Sequence, residues 1–337
     1  MSLEQYKRIM LPALEDELKE IVSLTNLPCY EELNRMLVYH MGWEHESTAS
    51  TTSGKRIRPL LVLLSVSAAG GDWKKAVSAA AAIELIHNFS LIHDDIQDNS
   101  ELRRGRVTIW KLWGVPQAIN TGDMMFTLAQ TAILRLKETT SLSTTVKASQ
   151  ILQESCLQLT QGQYLDMSYE SQDTMEIESY WKMIEGKTAA LLAASTEIGS
   201  LCGNADDKTR KSYRDFGFNL GLAFQTQDDL LGIWGDTLVT GKSAESDLIT
   251  GKKTLPILFG LEKRGNFYRG WKNQGLSIEE IPTLVSMLEK EGAKEYTELR
   301  TKEMTEMALT ALDNANPTIE AGAALKSLAQ NLLNRSV

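Results

Sequence analysis

The sequence predicts an all-α protein, one domain of about ten or more helices. Three observations carry this expectation. Apolar residues recur three and four apart over long windows, the spacing that lines one face of a helix. Only 7 prolines occur in 337 residues, so long helices meet few breakers. No run of alternating apolar and polar residues is bounded by a tight-turn pair such as Asn-Gly, which leaves little evidence for strands.

The first window covers residues 4–23 and the second 57–69, which ends at Gly70-Gly71. Window 74–98 stops at the polar cluster Asn99 to Gly105, window 116–137 follows, and 146–169 ends at Ser171 to Thr174. Windows 176–202 and 208–234 are parted by Asn204 to Lys208; Gly235 to Lys252 then reads as a loop before window 253–263. After Asn273 to Ser277 the chain is helical in pattern and carries no further motif. Breaks of this kind follow from glycine, proline and short polar side chains competing with helix. None is a long linker, so residues 1–337 are expected to form a single domain.

Composition narrows the function. Apolar residues make up 42% and charged residues 23%, an ordinary globular balance. The net charge of −9 argues against broad nucleic-acid binding, which needs a basic footprint. Cys29, Cys156 and Cys202 are too few and too scattered for a disulfide framework or a zinc knuckle. The start Met1-Ser2-Leu3-Glu4 lacks the basic-then-apolar plan of a signal peptide, and the apolar stretch Leu60 to Ala69 is about half a membrane span. A cytoplasmic protein with no membrane span is expected.

Two acidic segments stand out. In Ile83 to Asp98, Asp94 and Asp98 fall one turn apart on one helix face, with Asp95 beside them and apolar Ile83, Ile86 and Leu91 on the turns before. Like charges stacked at the negative end of a helix are unfavourable. A divalent cation relieves them, and a partly open set of carboxylates suits Mg²⁺. In Gly221 to Asp236, Gln225, Asp228, Asp229 and Gly232 again share one face. Facing acidic helices could hold several Mg²⁺ ions around one diphosphate.

Taken in order, Gly54-Lys55-Arg56-Ile57-Arg58-Pro59, Asp94-Asp95-Ile96-Gln97-Asp98 with Arg103-Arg104-Gly105, and Phe224-Gln225 to Asp229 resemble the trans-type polyprenyl diphosphate synthases, most closely the geranylgeranyl diphosphate synthases. The resemblance runs from about residue 50 to about residue 260. It implies the isoprenoid synthase fold, a helical bundle around a deep central cavity, and a homodimer. It also implies a Mg²⁺-dependent condensation of isopentenyl diphosphate with an allylic prenyl diphosphate, with about three ions per site.

By that resemblance Asp94, Asp98 and Asp228 match the metal ligands, with Asp95 outside the direct set. Gly232 stands where a final aspartate is common, which implies one outer-sphere hydrogen bond fewer rather than a lost metal. Lys55, Arg58, His87 and Arg104 match the isopentenyl diphosphate pocket, and Arg103 matches a clamp on the allylic diphosphate. Guanidinium forks suit phosphate for physical reasons as well. Lys187, Thr188 and Gln225 match groups beside the reacting carbons, and Lys242 and Lys252 match lysines that close over the diphosphate from the Gly235 to Lys252 loop. Phe89 and Ser90, the fifth and fourth residues before Asp94, match the floor that sets product length, and their pattern implies a C20 product. Met124, Met125 and Phe126 read either as part of that floor or as plain core.

Three other readings compete. A class I terpene cyclase would not need the set Lys55, Arg58, His87 and Arg104. A metal phosphohydrolase built on His93-Asp94 leaves the second acidic helix unexplained. A non-catalytic regulatory subunit would be expected to have lost acidic ligands, and both clusters are present.

Overall fold

The computed structural model of the protein describes residues 1–44, 54–170, 172, 175–235, 246–271 and 280–333. The described elements are helices, apart from one two-stranded hairpin. They cluster into two compact units. The first comprises Met1–Glu154, Ala194–Lys211 and Pro317–Leu325; the second comprises Ser155–Ala193, Ser212–Asn316 and Lys326–Val337.

In the first unit, α1 (Leu3–Ser23) starts with a capping box in which Ser2 and Gln5 satisfy each other's backbone N–H groups. Its buried stripe Tyr6, Met10, Leu14, Leu18 and Ile21 follows the predicted spacing. Helices α2 (Glu31–Met41) and α3 (Ile57–Ala68) come next, then α4 (Val77–Gln97), which a 3₁₀ turn over Trp73–Ala76 leads into. Helix α4 packs against α1, α3 and α6 (Val115–Leu134). Its run Ala79 to Ile83, with Leu85 and Ile86, is wholly inaccessible to solvent. Being apolar nearly all round, it must be buried on all sides. The helical stretch Trp73–Gln97 is long and apolar enough to cross a membrane, yet 67% of its apolar window is buried inside the protein.

Between α4 and the short α5 (Ile109–Trp113) lies the hairpin of β1 (Leu102–Arg103) and β2 (Arg106–Val107). Its two turn residues, Arg104 and Gly105, have φ of 52° and 73°. Positive φ at both centres is the turn that matches strand twist. This hairpin lies within the polar break expected at Asn99 to Gly105, and its Arg-Gly turn is not the usual Asn-Gly or Asp-Gly signal.

Helix α7 is Leu142–Glu170. In the second unit, its C-terminal part is followed by α8 (Ile177–Ile184), a π-helical turn (Glu185–Ala189) and the start of α9 (Ala190–Cys202). The predicted window 176–202 is thus continuous but locally widened and underwound by one π turn. Most of α10 (Asp207–Trp234) belongs to this unit, as do α11 (Ser246–Thr250), α12 (Leu255–Lys263), α13 (Asn266–Trp271), α14 (Ile281–Lys290) and α15 (Ala293–Asn314). Helix α16 (Ile319–Leu333) closes the described chain. One core cluster gathers Tyr180, Met183, Ile184, Leu222, Leu255 and Leu258, and another Ile233, Ile257, Phe267 and Leu288.

Candidate active site

Helix α4 delivers the first acidic group in the predicted register. Asp98 donates its backbone N–H to the Asp94 carbonyl at 2.8 Å, so the two residues stand one turn apart. Asp94 is half-buried and Asp98 exposed, whereas Asp95 is only 2% exposed. The inward Asp95 accepts a hydrogen bond from Arg103 Nε at 2.8 Å. Burial, with the charges of Asp94 and Asp98, pushes its carboxyl up to about 6, against the opposing pull of Arg103. Arg103 sits on β1, so the hairpin holds this guanidinium against the end of α4.

The basic residues converge on the same end of the first unit. Arg104, at the hairpin tip, lies over Gly54: a Cβ at Gly54 would fall 2.7 Å from the guanidinium carbon. Arg58 NH1 is 3.2 Å from His87 Nε2. An arginine can only donate, so Nε2 accepts and the imidazole is neutral. Burial and the positive charges of Arg58, Arg104 and Arg103 hold the His87 pKa well below its ordinary value, in agreement. Lys55 is exposed at the entry to α3. Arg56, between Lys55 and Arg58, has turned inward: it is 5% exposed, with φ of 48°, and donates to Glu15 and to buried Glu84, both at 2.7 Å. Glu84 also accepts from Asn88 Nδ2 at 2.9 Å.

In the second unit, Thr188 Oγ1 donates to Gln225 Oε1 at 2.8 Å, and Gln225 Nε2 donates to Asp229 Oδ1 at 3.0 Å. Asp229 also accepts from the Tyr180 hydroxyl at 2.6 Å and from the Leu255 backbone N–H at 3.0 Å. Burial pushes the Asp229 carboxyl up to about 6, although these three donors favour its ionised form. It therefore fixes the Gln225 amide, while its neighbour Asp228 remains half-exposed. The Lys187 ammonium donates to Asp166 Oδ2. The π turn makes this placement possible, because Gly162 lets α7 touch the backbone of Lys187. A Cβ at Gly162 would lie 2.1 Å from the Lys187 nitrogen. Lys252 is exposed, and its backbone N–H donates to the Asp247 carbonyl at 2.9 Å. Lys242 lies outside the described residues.

Phe89 meets Phe126 edge to face at 5.2 Å and His93 at 5.1 Å between centroids. Ser90 Oγ donates to the His87 carbonyl at 2.8 Å. Of the α6 residues, Met125 is pure core at 0% exposure, and Phe126 is the one that reaches Phe89. His93 turns to α6, where its Nε2 is 3.7 Å from Asp123, so a histidine–aspartate metal pair with Asp94 is not what it forms.

A family model described as polyprenyl synthetase matches residues 44–279. The chain belongs to the polyprenyl synthetase family. It is similar to the geranylgeranyl diphosphate synthase of Mycobacterium tuberculosis, 45% identical over 69% of this chain and 67% of that one. It is also similar to the (2E,6E)-farnesyl diphosphate synthase of Mycobacterium bovis, 35% identical over 88% and 84%. Among solved structures it is similar to the geranylgeranyl pyrophosphate synthetase of Pyrococcus horikoshii, with a TM-score of 0.89 and 31% identity, covering 99% and 98%. This polyprenyl synthetase is a prenyl-transferring enzyme with an all-α isoprenoid synthase fold.

The carboxylates of this synthetase suit Mg²⁺. In the first unit Asp94 and Asp98 share one helix face, and in the second unit Asp228 lies on α10; all three are oxygen donors that solvent reaches at least in part. Among the described residues no three Asp, Glu, His or Cys side chains close into a complete cage. That donor set fits a hard cation that fills its shell with water and substrate oxygens. Sequence reasoning gave no role to Arg56, Glu84, Asp166, Tyr180 and Asp229, which hold the candidate site residues in place. Their sequence signal was a polar side chain inside an apolar window, as with Glu84 between Ile83 and Leu85.

Proposed function

We propose that this synthetase joins isopentenyl diphosphate to an allylic prenyl diphosphate and releases a linear, all-trans C20 diphosphate. The allylic carbon–oxygen bond breaks, a carbon–carbon bond forms, and the proton lost from the new chain goes to the released diphosphate. The observation that carries this reading is the neutral His87 bound to Arg58, close to Arg104 and to the acidic end of α4. A pocket that keeps its histidine uncharged and surrounds it with arginines is built for a dianionic group beside a separate cation site. A terpene cyclase needs no second diphosphate pocket, and a regulatory subunit needs neither set.

Asp94, Asp98 and Asp228 would hold a complement of three Mg²⁺ ions, which supply electrostatic stabilisation to the leaving diphosphate. Arg103, held on Asp95, faces the allylic diphosphate; Lys55, Arg58, His87 and Arg104 take isopentenyl diphosphate. Lys187, set by Asp166, and the Thr188–Gln225 pair present polar atoms to the allylic end. Lys252 covers the diphosphate and helps keep water from the reacting carbons. Phe89, braced by Phe126, stops the growing chain, and Ser90 leaves room before that stop. The solved relative spans 99% of this chain, which supports reading 1–337 as one synthase domain. Exposed apolar side chains such as Ile119 and Leu134 on α6 and Leu142 and Val146 on α7 are available for the contacts of a homodimer. Three unpaired cysteines fit a reducing cytoplasm.

Asp94→Ala and Asp228→Ala test the assignment. Each is expected to lower kcat/KM by about 10²–10³-fold, the scale of one lost transition-state contact. Rates within threefold of the parent for both would refute it.

A further inference from the structure

The second acidic helix has a gap one turn after Asp228, at Gly232. That gap is filled from another element. A Cβ at Gly232 would fall 2.1 Å from Oδ2 of Asp247 and 2.7 Å from its carboxyl carbon, so the Asp247 carboxylate lies where a side chain at 232 would begin. Residues four apart on a helix have Cβ atoms about 5–6 Å apart. Asp228 and Asp247 therefore stand in nearly the relation that Asp94 and Asp98 have on α4, although they come from two different helices. Both also act on one neighbour: burial raises the pKa of the Tyr180 phenol, the hydrogen-bonded Asp229 raises it further, and the charges of Asp228 and Asp247 add to this.

We infer that Asp247 completes the second metal site, its carboxylate standing in for the side chain that Gly232 lacks and binding a Mg²⁺ ion together with Asp228, directly or through that ion's water. This rests on the reading of Asp228 as a metal ligand given above. Two features of the local structure support it. Asp247 lies on the five-residue α11, and that helix also hydrogen-bonds the backbone of Lys252 through the Asp247 carbonyl. The short helix thus carries an anion for the cation and sets a lysine for the diphosphate. A Cβ at 232 would have to move the Asp247 carboxylate from its present position. The sequence expectation of one hydrogen bond fewer at this position is replaced by a carboxylate supplied from fifteen residues downstream.

Mn²⁺ binding to the full-length protein in the presence of inorganic diphosphate, read by electron paramagnetic resonance without prenyl substrate, tests this apart from turnover. Loss of a ligand or of a carboxylate on the ion's water weakens metal binding by about 10–100-fold. Asp247→Asn is expected to weaken Mn²⁺ binding at one site by that factor, and the double variant Gly232→Asp/Asp247→Ala to recover most of it by moving the carboxylate back to the helix. Parental affinity in both Asp247→Asn and Asp247→Ala would overturn the inference. If Asp228→Asn weakens binding in that case, the metal reading of the helix survives without Asp247. If Asp228→Asn also binds as the parent does, both readings fall together.

Discussion

His87 accepts from Arg58 and is surrounded by arginines, so the folded protein resists its protonation while the unfolded chain, with a pKa near about 6.5, does not. Its contribution to stability is present above that value and is lost as pH falls toward the folded pKa. His40, lowered to about 3 by burial and nearby arginines, acts in the same direction. Asp95 and Asp229, both raised to about 6, oppose it: their stabilisation is present at low pH and lost as pH rises through 6. His87→Gln should therefore show a smaller drop in urea midpoint between pH 7 and pH 5 than the parent, with the other three groups common to both proteins. An unchanged drop would mean that His87 is not held neutral. At this scale the sequence was informative where a side chain is chemically costly. Asp94 with Asp98, and Gln225 with Asp228, stand out because charged or amide groups on apolar helices need a reason, whereas Thr188 follows only from the family resemblance. Arg56 escaped because its neighbours Lys55 and Arg58 share its chemistry, and only folding separates the arginine that turns inward from the basic residues that stay toward solvent.

Arg56 shows what those inward residues do for the elements. It joins the start of α3 to Glu15 on α1 and Glu84 on α4, and so sets the direction in which Lys55 and Arg58 leave the motif. Arg56→Met leaves Glu84 buried without its cation, and breaking such a pair costs about 3–5 kcal/mol. Chemical denaturation should show a loss of that size, with partial recovery in Arg56→Met/Glu84→Leu; a loss below about 1 kcal/mol would contradict the anchoring role. Helix positions were readable from the 3.6-residue period, and α1, α3, α4, α7 and α10 match their windows to within a few residues. The π turn at Glu185–Ala189 was not readable, since one extra residue in a turn barely disturbs that period. The turn coincides with the close approach of Gly162 to the Lys187 backbone, a contact between residues 25 positions apart. Helix α11 falls inside the expected Gly235 to Lys252 loop, because five residues are too few to show a period.

For the molecule as a whole, the proposed reaction makes product length depend on how far the growing chain could extend before it meets the Phe89–Phe126 ring pair. Phe89→Ala removes one ring of that pair and should shift the main product beyond C20, as read by mass of the dephosphorylated alcohols. An unchanged product would place the stop elsewhere. The similarity to both a geranylgeranyl and a farnesyl diphosphate synthase makes this the property in which the chain's own residues matter most. The most direct test of the whole account is incubation of the purified protein with Mg²⁺, isopentenyl diphosphate and each allylic diphosphate from C5 to C20, followed by product identification. Linear all-trans alcohols ending at C20, formed only when isopentenyl diphosphate is present, are predicted. Cyclic hydrocarbons formed without it, or no turnover of any starter, would contradict the account.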